Sequence, residues 1–508
     1  MRGRRATLSP SLAFLAIALP AGAILAVVSQ PLRWGDENTH LLQAYALSEG
    51  TLRPELRGRT LGVGVPRAVQ GFIIAFAKHH LKRSLGTPSW EDVGAARSIH
   101  VTRHRGFAKL AVFTYSPVGY LPQAAGIALA RTFTDSVLLQ LYAARLANLA
   151  VWAALVSLAL RVTPVLALPL AVLALAPMSV FLAASCAADA TTNGLAFLWF
   201  ASVLRLAVGE REPDAPPARA WLALSVQALL LSLAKIAYTP LLLLLLLVPA
   251  DRLGGRRRAT VASVALVTLG VLAVVVWLAL VRTELAQSIA YRGQSHAAAN
   301  LAALAEHPGR FLQVLASTVH GYGGRWLREL GGTTWTGPAE PRWLVWLWGV
   351  ALAIAVVVER RPAGWPRLRE RAVALVASAL CLTGVVLAAY LFWTAGGHPT
   401  ATGVQGRYLI PLLPPLLLAL LPPARLRLRA GAPALRLAAL ALVAWALGHT
   451  ILRTLSLYQP VPPDPDEAQA LRAAEPAVTS RSSPRAENAA LATLPPTGPR
   501  ATLEHFRG

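Results

Sequence analysis

The chain has 508 residues, of which 55% are hydrophobic and only 14% charged, against about 25% charged in a typical soluble chain, and its mean hydropathy is +0.51. That composition excludes an ordinary soluble enzyme. The net charge of +24 does not point to nucleic acid, because the Arg residues cluster between apolar runs, where anionic headgroups and helix orientation account for them.

An apolar run of about 20 residues crosses the hydrocarbon core as a helix, since no backbone polar group can stay unpaired there. In chain order the runs predict spans at 11–29, 138–160, 164–184, 190–208, 219–234, 237–250, 260–282, 343–359, 372–392, 408–422 and 433–453. The expected fold is an all-α integral membrane protein with about eleven transmembrane helices, within a range of eleven to thirteen. The first span follows Arg2, Arg4 and Arg5 and could pass for a signal peptide, but ten further spans make it an anchor. Another apolar segment, 115–130, carries Pro117 and Pro122 and reads as an interfacial or re-entrant helix.

Charge supports leaving that segment out. The short loops at 205–219, 252–258, 360–371 and 425–429 are basic and belong in the cytoplasm with the N-terminus, which needs a path in which 115–130 does not cross. The transmembrane domain then covers 1–453, with external segments at 30–137 and 283–342. The composition of 454–508, rich in Pro, Ala, Arg and Ser, predicts disorder. Cys186 and Cys381 lie in or beside apolar stretches, without the spacing of a zinc or redox site.

Polar residues that break the apolar background fall at the external membrane edge. Just after the first span, PLRWGDENTHLLQAYALSEG sets Asp36, Glu37 and His40 close together. If the stretch from Asn38 is helical, His40, Gln43, Ala44 and Leu47 share one side of it. Asp36 or Asn38 could equally cap that helix while Glu37 complements its dipole. Asp189 and Asn193 in SCAADATTNG, Lys235 and Tyr238 in SLAKIAYTP, and Gln405, Arg407 and Tyr408 in GVQGRYLIP mark three further edges. Taken singly, a Lys there snorkels and an Asp caps a helix. Together, a carboxylate could take a proton from an attacking hydroxyl while Arg and Lys stabilise a departing phosphate oxygen. Asp36, Glu37 and Asp189 could instead hold a divalent cation, Mg or Mn, through oxygen ligands. The sequence does not separate these roles. His320, Tyr322, Trp326 and Trp335 in the second external segment could stack on a sugar ring, although aromatics beside a span more often anchor it at the interface.

The block around Asp36 resembles the P-x-DE-x-x-H-x-x-RAY-x-x-x-x-G pattern of the bacterial membrane proteins of domain-of-unknown-function family 2142, with Gln43 standing where the family has Arg. The likeness continues through YSPVGYLPQAAGIALAR, YAARLANL, LAPMSVFLAASCAADATTNG, LAKIAYTPLLLL and GVQGRYLIPLLPP, over about residues 30–420. That family in turn resembles the GT-C glycosyltransferases, which take sugars from polyprenyl-phosphate carriers. The resemblance implies a GT-C-like fold with interfacial helices in the first external loop. It also implies Asp36 or Glu37 as catalytic base or metal ligand, and Asp189 as a second acidic residue. Arg407 and Tyr408 would meet the carrier phosphate, assisted by Lys235.

The resulting expectation is a multi-pass protein of the bacterial plasma membrane, N-terminus cytoplasmic, that transfers a sugar from a polyprenyl-phosphate-linked donor to an extracytoplasmic glycan, lipid or protein. Its partners are membrane lipids, donor and acceptor, with no nucleic acid. His40, Tyr238 and Gln405 are expected to bind substrate beside the residues above. Two alternatives stand: a flippase or transporter for lipid-linked sugars or polymer, and a non-catalytic cell-envelope assembly protein. The spans read as nearly free of acids and bases away from their ends and show no repeat, which disfavours ion-coupled transport.

Overall fold

The computed structural model describes residues 9–458 apart from 34–35, 59, 82–87, 111–114, 211–215, 292–295, 333–340, 424–425, 427 and 429–430. The basic N-terminus, Trp335 and nearly all of the C-terminal tail lie outside the described residues.

Among the described residues helix predominates, and six helices are long and apolar enough to cross a membrane: α1 (Pro10–Val28), α6 (Val137–Val162), α9 (Asp189–Val208), α11 (Arg256–Leu280), α16 (Leu368–Trp393) and α18 (Ala432–Ser456). Each matches an expected span. The helix starts follow the sequence chemistry, as at α1, where Pro10 takes the first turn and the Ser9 hydroxyl accepts from the Leu12 amide at 3.2 Å.

The other expected spans are short or broken. The run 164–184 divides into α7 (Ala167–Ala174) and α8 (Pro177–Ala183), because Pro177 has no N–H with which to continue the ladder. Everything from 168 to 200 is buried, so the break is covered by protein, a setting in which irregular backbone is tolerated at membrane depth. Likewise α10 (Ala218–Ala234) stops at Lys235, and a 3-10 helix over Ile236–Leu247 containing Pro240 follows. The run 408–422 becomes a 3-10 turn, Gly406–Leu412, leading into α17 (Leu413–Leu420). The remaining span matches α15 (Arg342–Val358).

Segment 30–137 folds as a cap with its own apolar core. Helix α2 (Glu37–Ser48) packs Leu41, Leu42 and Tyr45 on Leu61, Val63 and Val65 of an antiparallel three-stranded sheet. Its strands are β1 (Glu55–Arg57), β2 (Thr60–Pro66) and β3 (Arg105–Lys109), registered with Glu55 opposite Gly62 and Gly62 opposite Lys109. This sheet was not anticipated from the sequence, whose reading of the segment was a large loop carrying interfacial helices. The alternation Leu61, Val63, Val65 is a period-2 signal, but Gly62 and Gly64 between them thin it. Helix α3 (Arg67–Leu81) packs on β2 and β3, and α4 (Trp90–Ala96) adds Val93 and Ala96 to the same apolar core.

The expected non-crossing segment 115–130 forms a 3-10 turn, Pro117–Tyr120, and α5 (Leu121–Ala130). At ten residues α5 is about 15 Å long, half the roughly 30 Å of a hydrocarbon core. It lies between α2 and α6, and at Gly126 the approach is so close that a Cβ would sit 2.5 Å from the Ala143 carbonyl oxygen.

The second segment, 283–342, is also helical, with α12 (Arg282–Tyr291), α13 (His296–Glu306) and α14 (Arg310–Leu330). Buried Asn300 donates to the Tyr390 and Thr394 carbonyls at 2.8 and 3.0 Å, satisfying the C-terminal end of α16.

Cross-bonds between connections define the two ends of the bundle. Arg252 donates to the Gly209 carbonyl at 2.8 Å, Arg369 to Leu246 at 2.7 Å, Arg371 to Ala419 and Leu421 at 2.8 and 2.6 Å, and the Leu428 amide to Val357 at 2.9 Å. The basic connections therefore gather at one end. The start of α9, 20 residues before Gly209, lies a helix length away, at the end where segment 30–137 sits.

Candidate functional site: an ion-paired cluster at the capped end of the bundle

A buried latch organises the site. Arg145, nine residues into α6, is 0% exposed, and all its donor groups are used. Its Nε and Nη2 bond Glu37 at 2.9 and 2.7 Å, Nη1 bonds the Ala26 and Ser29 carbonyls at 2.8 and 2.9 Å, and Nη2 also reaches Gln30 at 3.2 Å. Glu37 is equally saturated. Its Oε1 accepts from the Cys186 amide at 3.1 Å and its Oε2 from the Leu32 amide at 3.1 Å. One ion pair thus caps the last carbonyls of α1 and fixes the start of α2 against α6 and the turn before α9. Asn148 and Gln123 secure that turn further, donating to Ser185 at 2.7 Å and to Ala187 at 3.2 and 3.1 Å.

The latch explains why neighbouring carboxylates diverge. Asp36 holds a left-handed backbone (φ 69°, ψ 5°), which turns its side chain away from Glu37. It stands at the helix N-cap but makes no side-chain capping bond; its main-chain oxygen accepts from the His40 amide at 2.9 Å. Its carboxylate instead meets Arg407, with Oδ2 3.1 Å from Nη2.

Arg407 and Lys235 arrive from the two irregular segments. Lys235 has an extended backbone at the end of α10, and its Nζ lies 2.7 Å from Oδ1 of Asp189, the first residue of α9. Asp189 Oδ2 is 3.6 Å from Arg407 Nε. Lys235 and Asp189 are each only 11% exposed, so Lys235 does not snorkel and Asp189 does not cap its helix. Three tyrosines surround the ammonium, the Tyr408, Tyr115 and Tyr238 ring centres lying 4.2, 5.5 and 5.8 Å away. The Tyr238 hydroxyl donates to the Tyr408 carbonyl at 2.9 Å and ties the two segments together.

His40 completes the cluster from α2, its Nδ1 2.8 Å from the Tyr120 hydroxyl. Burial holds the imidazole below its ordinary proton affinity, with Asp36 and Asp189 pulling the other way. Burial also pushes the Tyr115 phenol up to about 12 and Tyr120 well above its usual value, so both stay protonated at neutral pH. Unfolded, His40 takes up a proton near its ordinary value of 6.5; folded, it resists. Its contribution to stability is therefore complete above that value and is lost as pH falls through the window beneath it. Thermal unfolding of the detergent-solubilised protein is expected to show this loss below about pH 6.5, and His40→Gln to flatten it. An unchanged profile in the variant would assign the dependence elsewhere.

Of the residues singled out from the sequence, Asp36, His40, Asp189, Lys235, Tyr238, Arg407 and Tyr408 therefore converge. Gln405 is buried just before the 3-10 turn, where its main-chain carbonyl accepts from the Tyr408 amide at 3.1 Å. Asn193 is buried one turn into α9, and its amide nitrogen meets no partner among the described residues. Glu37 does not join the cluster. The expected metal set of Asp36, Glu37 and Asp189 is accordingly not assembled: Glu37 is sealed against Arg145, and the other two face cations. Among the described residues no group of three or more His, Cys, Asp or Glu side chains could hold a metal ion.

Arg145, Tyr115 and Tyr120 were not anticipated. Arg145 carried a signal, an ionisable residue well inside an apolar span, and it corrects the reading of the spans as nearly free of charge away from their ends. Trp326 acts structurally. It is buried on α14 and its indole donates to the Val404 carbonyl at 3.1 Å, while Glu329 accepts from the Gly406 amide at 2.5 Å. Helix α14 thereby braces the turn that carries Arg407. Beside the cluster, a narrow cleft lined in part by Gln43, Arg53, Tyr115 and Tyr120 holds about 20 Å³, room for a water molecule.

No curated protein and no solved structure matches the chain significantly. A family model matches residues 19–417, the span that contains every residue of the cluster. The chain belongs to the DUF2142 family of predicted membrane proteins.

Proposed function

We propose that this membrane protein is a glycosyltransferase of the GT-C kind, moving a sugar from a polyprenyl-phosphate-linked donor to a glycan, lipid or protein acceptor outside the bacterial plasma membrane. The observation that carries the reading is the convergence of Asp36, Asp189, Lys235 and Arg407, drawn from four distant segments, at one end of the bundle. Paired buried charges of this kind cost desolvation energy and concentrate where chemistry requires them.

In this reading Asp36, the more exposed carboxylate, takes the proton as the acceptor oxygen bonds to the anomeric carbon. The bond from that carbon to the carrier phosphate oxygen breaks, and its electron pair leaves with the phosphate. Arg407 and Lys235 stabilise the growing negative charge, and Asp189 holds both cations in place. Glu37 serves as an anchor rather than a base, because Arg145 and two amides already occupy both its oxygens.

The test is sugar transfer in proteoliposomes from a polyprenyl-phosphate-linked sugar, followed by the mass of the product. Movement of labelled lipid across the bilayer with no covalent product would identify a flippase instead. Sidedness is checked separately. Leu52→Cys, beside the cluster, is expected to react with an impermeant maleimide on intact cells, and Arg257→Cys, at the basic end, only after permeabilisation. The buried native Cys186 and Cys381 should leave little background. Labelling of Arg257→Cys from outside overturns the orientation.

A further inference from the structure

Two cations and two carboxylates make the cluster electrically neutral as it stands, so each cation already has an anion at hand. A phosphate group that approaches the Nη2 or Nε side of Arg407 takes a position that a carboxylate holds. The two carboxylates are not equally held. Asp189 is 11% exposed, lies 2.7 Å from Lys235 and also faces Arg407. Asp36 is 31% exposed and touches Arg407 at a single 3.1 Å contact. Its side chain has no capping bond to α2, and the helix start is fixed from the other side by Glu37 and Arg145. The Asp36 carboxylate can therefore leave Arg407 by side-chain rotation, with no movement of the helix.

We propose that Asp36 is a placeholder for phosphate: its carboxylate occupies an anion position on Arg407 and exchanges with the phosphate group of the ligand. Exchange keeps the buried guanidinium compensated throughout, which avoids the cost of an uncovered internal charge. Resting on the transferase reading, the same exchange gives Asp36 a timed role, since the carboxylate becomes available to a hydroxyl only once the phosphate is seated. The exchange itself requires phosphate alone.

The experiment is calorimetric titration of the full-length protein in neutral-lipid nanodiscs with undecaprenyl phosphate, inorganic phosphate and, as the uncharged control, undecaprenol. Removing a competing partner predicts that Asp36→Asn binds undecaprenyl phosphate about threefold to tenfold tighter than wild type. Arg407→Gln should lose that binding, and undecaprenol should not distinguish the proteins. A gain limited to undecaprenyl phosphate supports the proposal with a lipid headgroup as the source; a gain shared with inorganic phosphate supports it with the phosphate group itself. Unchanged or weaker affinity in a folded Asp36→Asn protein, or no phosphate binding by either protein, overturns it. Should the variant not fold, infrared difference spectra of wild type with labelled Asp must show a carboxylate shift on adding undecaprenyl phosphate, and its absence overturns the proposal equally. Failure of wild type to transfer sugar defeats the transferase reading and leaves this result intact.

Discussion

Asp36→Asn is expected to reduce sugar transfer by about a hundredfold to ten-thousandfold, the usual contribution of a positioned general base, while expression and thermal stability stay close to wild type. Asn keeps the size of the side chain and an oxygen for Arg407, so the loss would be chemical. The contrast with its neighbour sharpens the test. Glu37→Gln puts an N–H₂ group where one carboxylate oxygen now accepts two hydrogen bonds, and leaves Arg145 buried without its counter-charge. Destabilisation, with activity lost only in proportion to folded protein, is the expected signature there. Transfer at the wild-type rate by Asp36→Asn would remove the residue from the mechanism.

The second large effect is expected at Arg145. Replacing it with Met fills similar volume but strands Glu37 in the interior and uncaps the Ala26, Ser29 and Gln30 carbonyls. Breaking a buried pair from one side costs about 3–5 kcal/mol, a large fraction of the stability of most domains. Thermal unfolding in detergent should show the drop. Because the pair couples its partners, Arg145→Met combined with Glu37→Leu should be destabilised by less than the sum of the single changes. Strict additivity would mean that the two side chains do not depend on each other.

Several of these features were legible in the linear chain, and particular residues show why. Lys235, Arg407 and Asp189 stand out because each interrupts an apolar background at a span end, where a charge is costly without a partner. Asp36 was ambiguous beside Glu37. Two adjacent carboxylates look alike in sequence, and only the left-handed backbone at Asp36 sends one outward to Arg407 and the other inward to Arg145. The sheet in the 30–137 segment was missed for a different reason. Its strands run three to seven residues, and the glycines at 62 and 64, between the apolar side chains of β2, weaken the alternation that would have revealed it.

Sequence alone determined the membrane class, the long helices and the concentration of basic residues in certain connections, since these depend on composition and on hydropathy over about 20 residues. It also fixed which residue types were available for chemistry. The tertiary structure decided which of them meet. Broken and 3-10 segments at 167–183, 236–247 and 406–412 bring Asp189, Lys235 and Arg407 to Asp36, although as many as 371 residues separate them in the chain. Such encounters depend on packing in a shared core, where a Pro ends a helix and the surrounding protein covers the exposed backbone. No local period along the chain records that, and so the pairing of charges belongs to the fold.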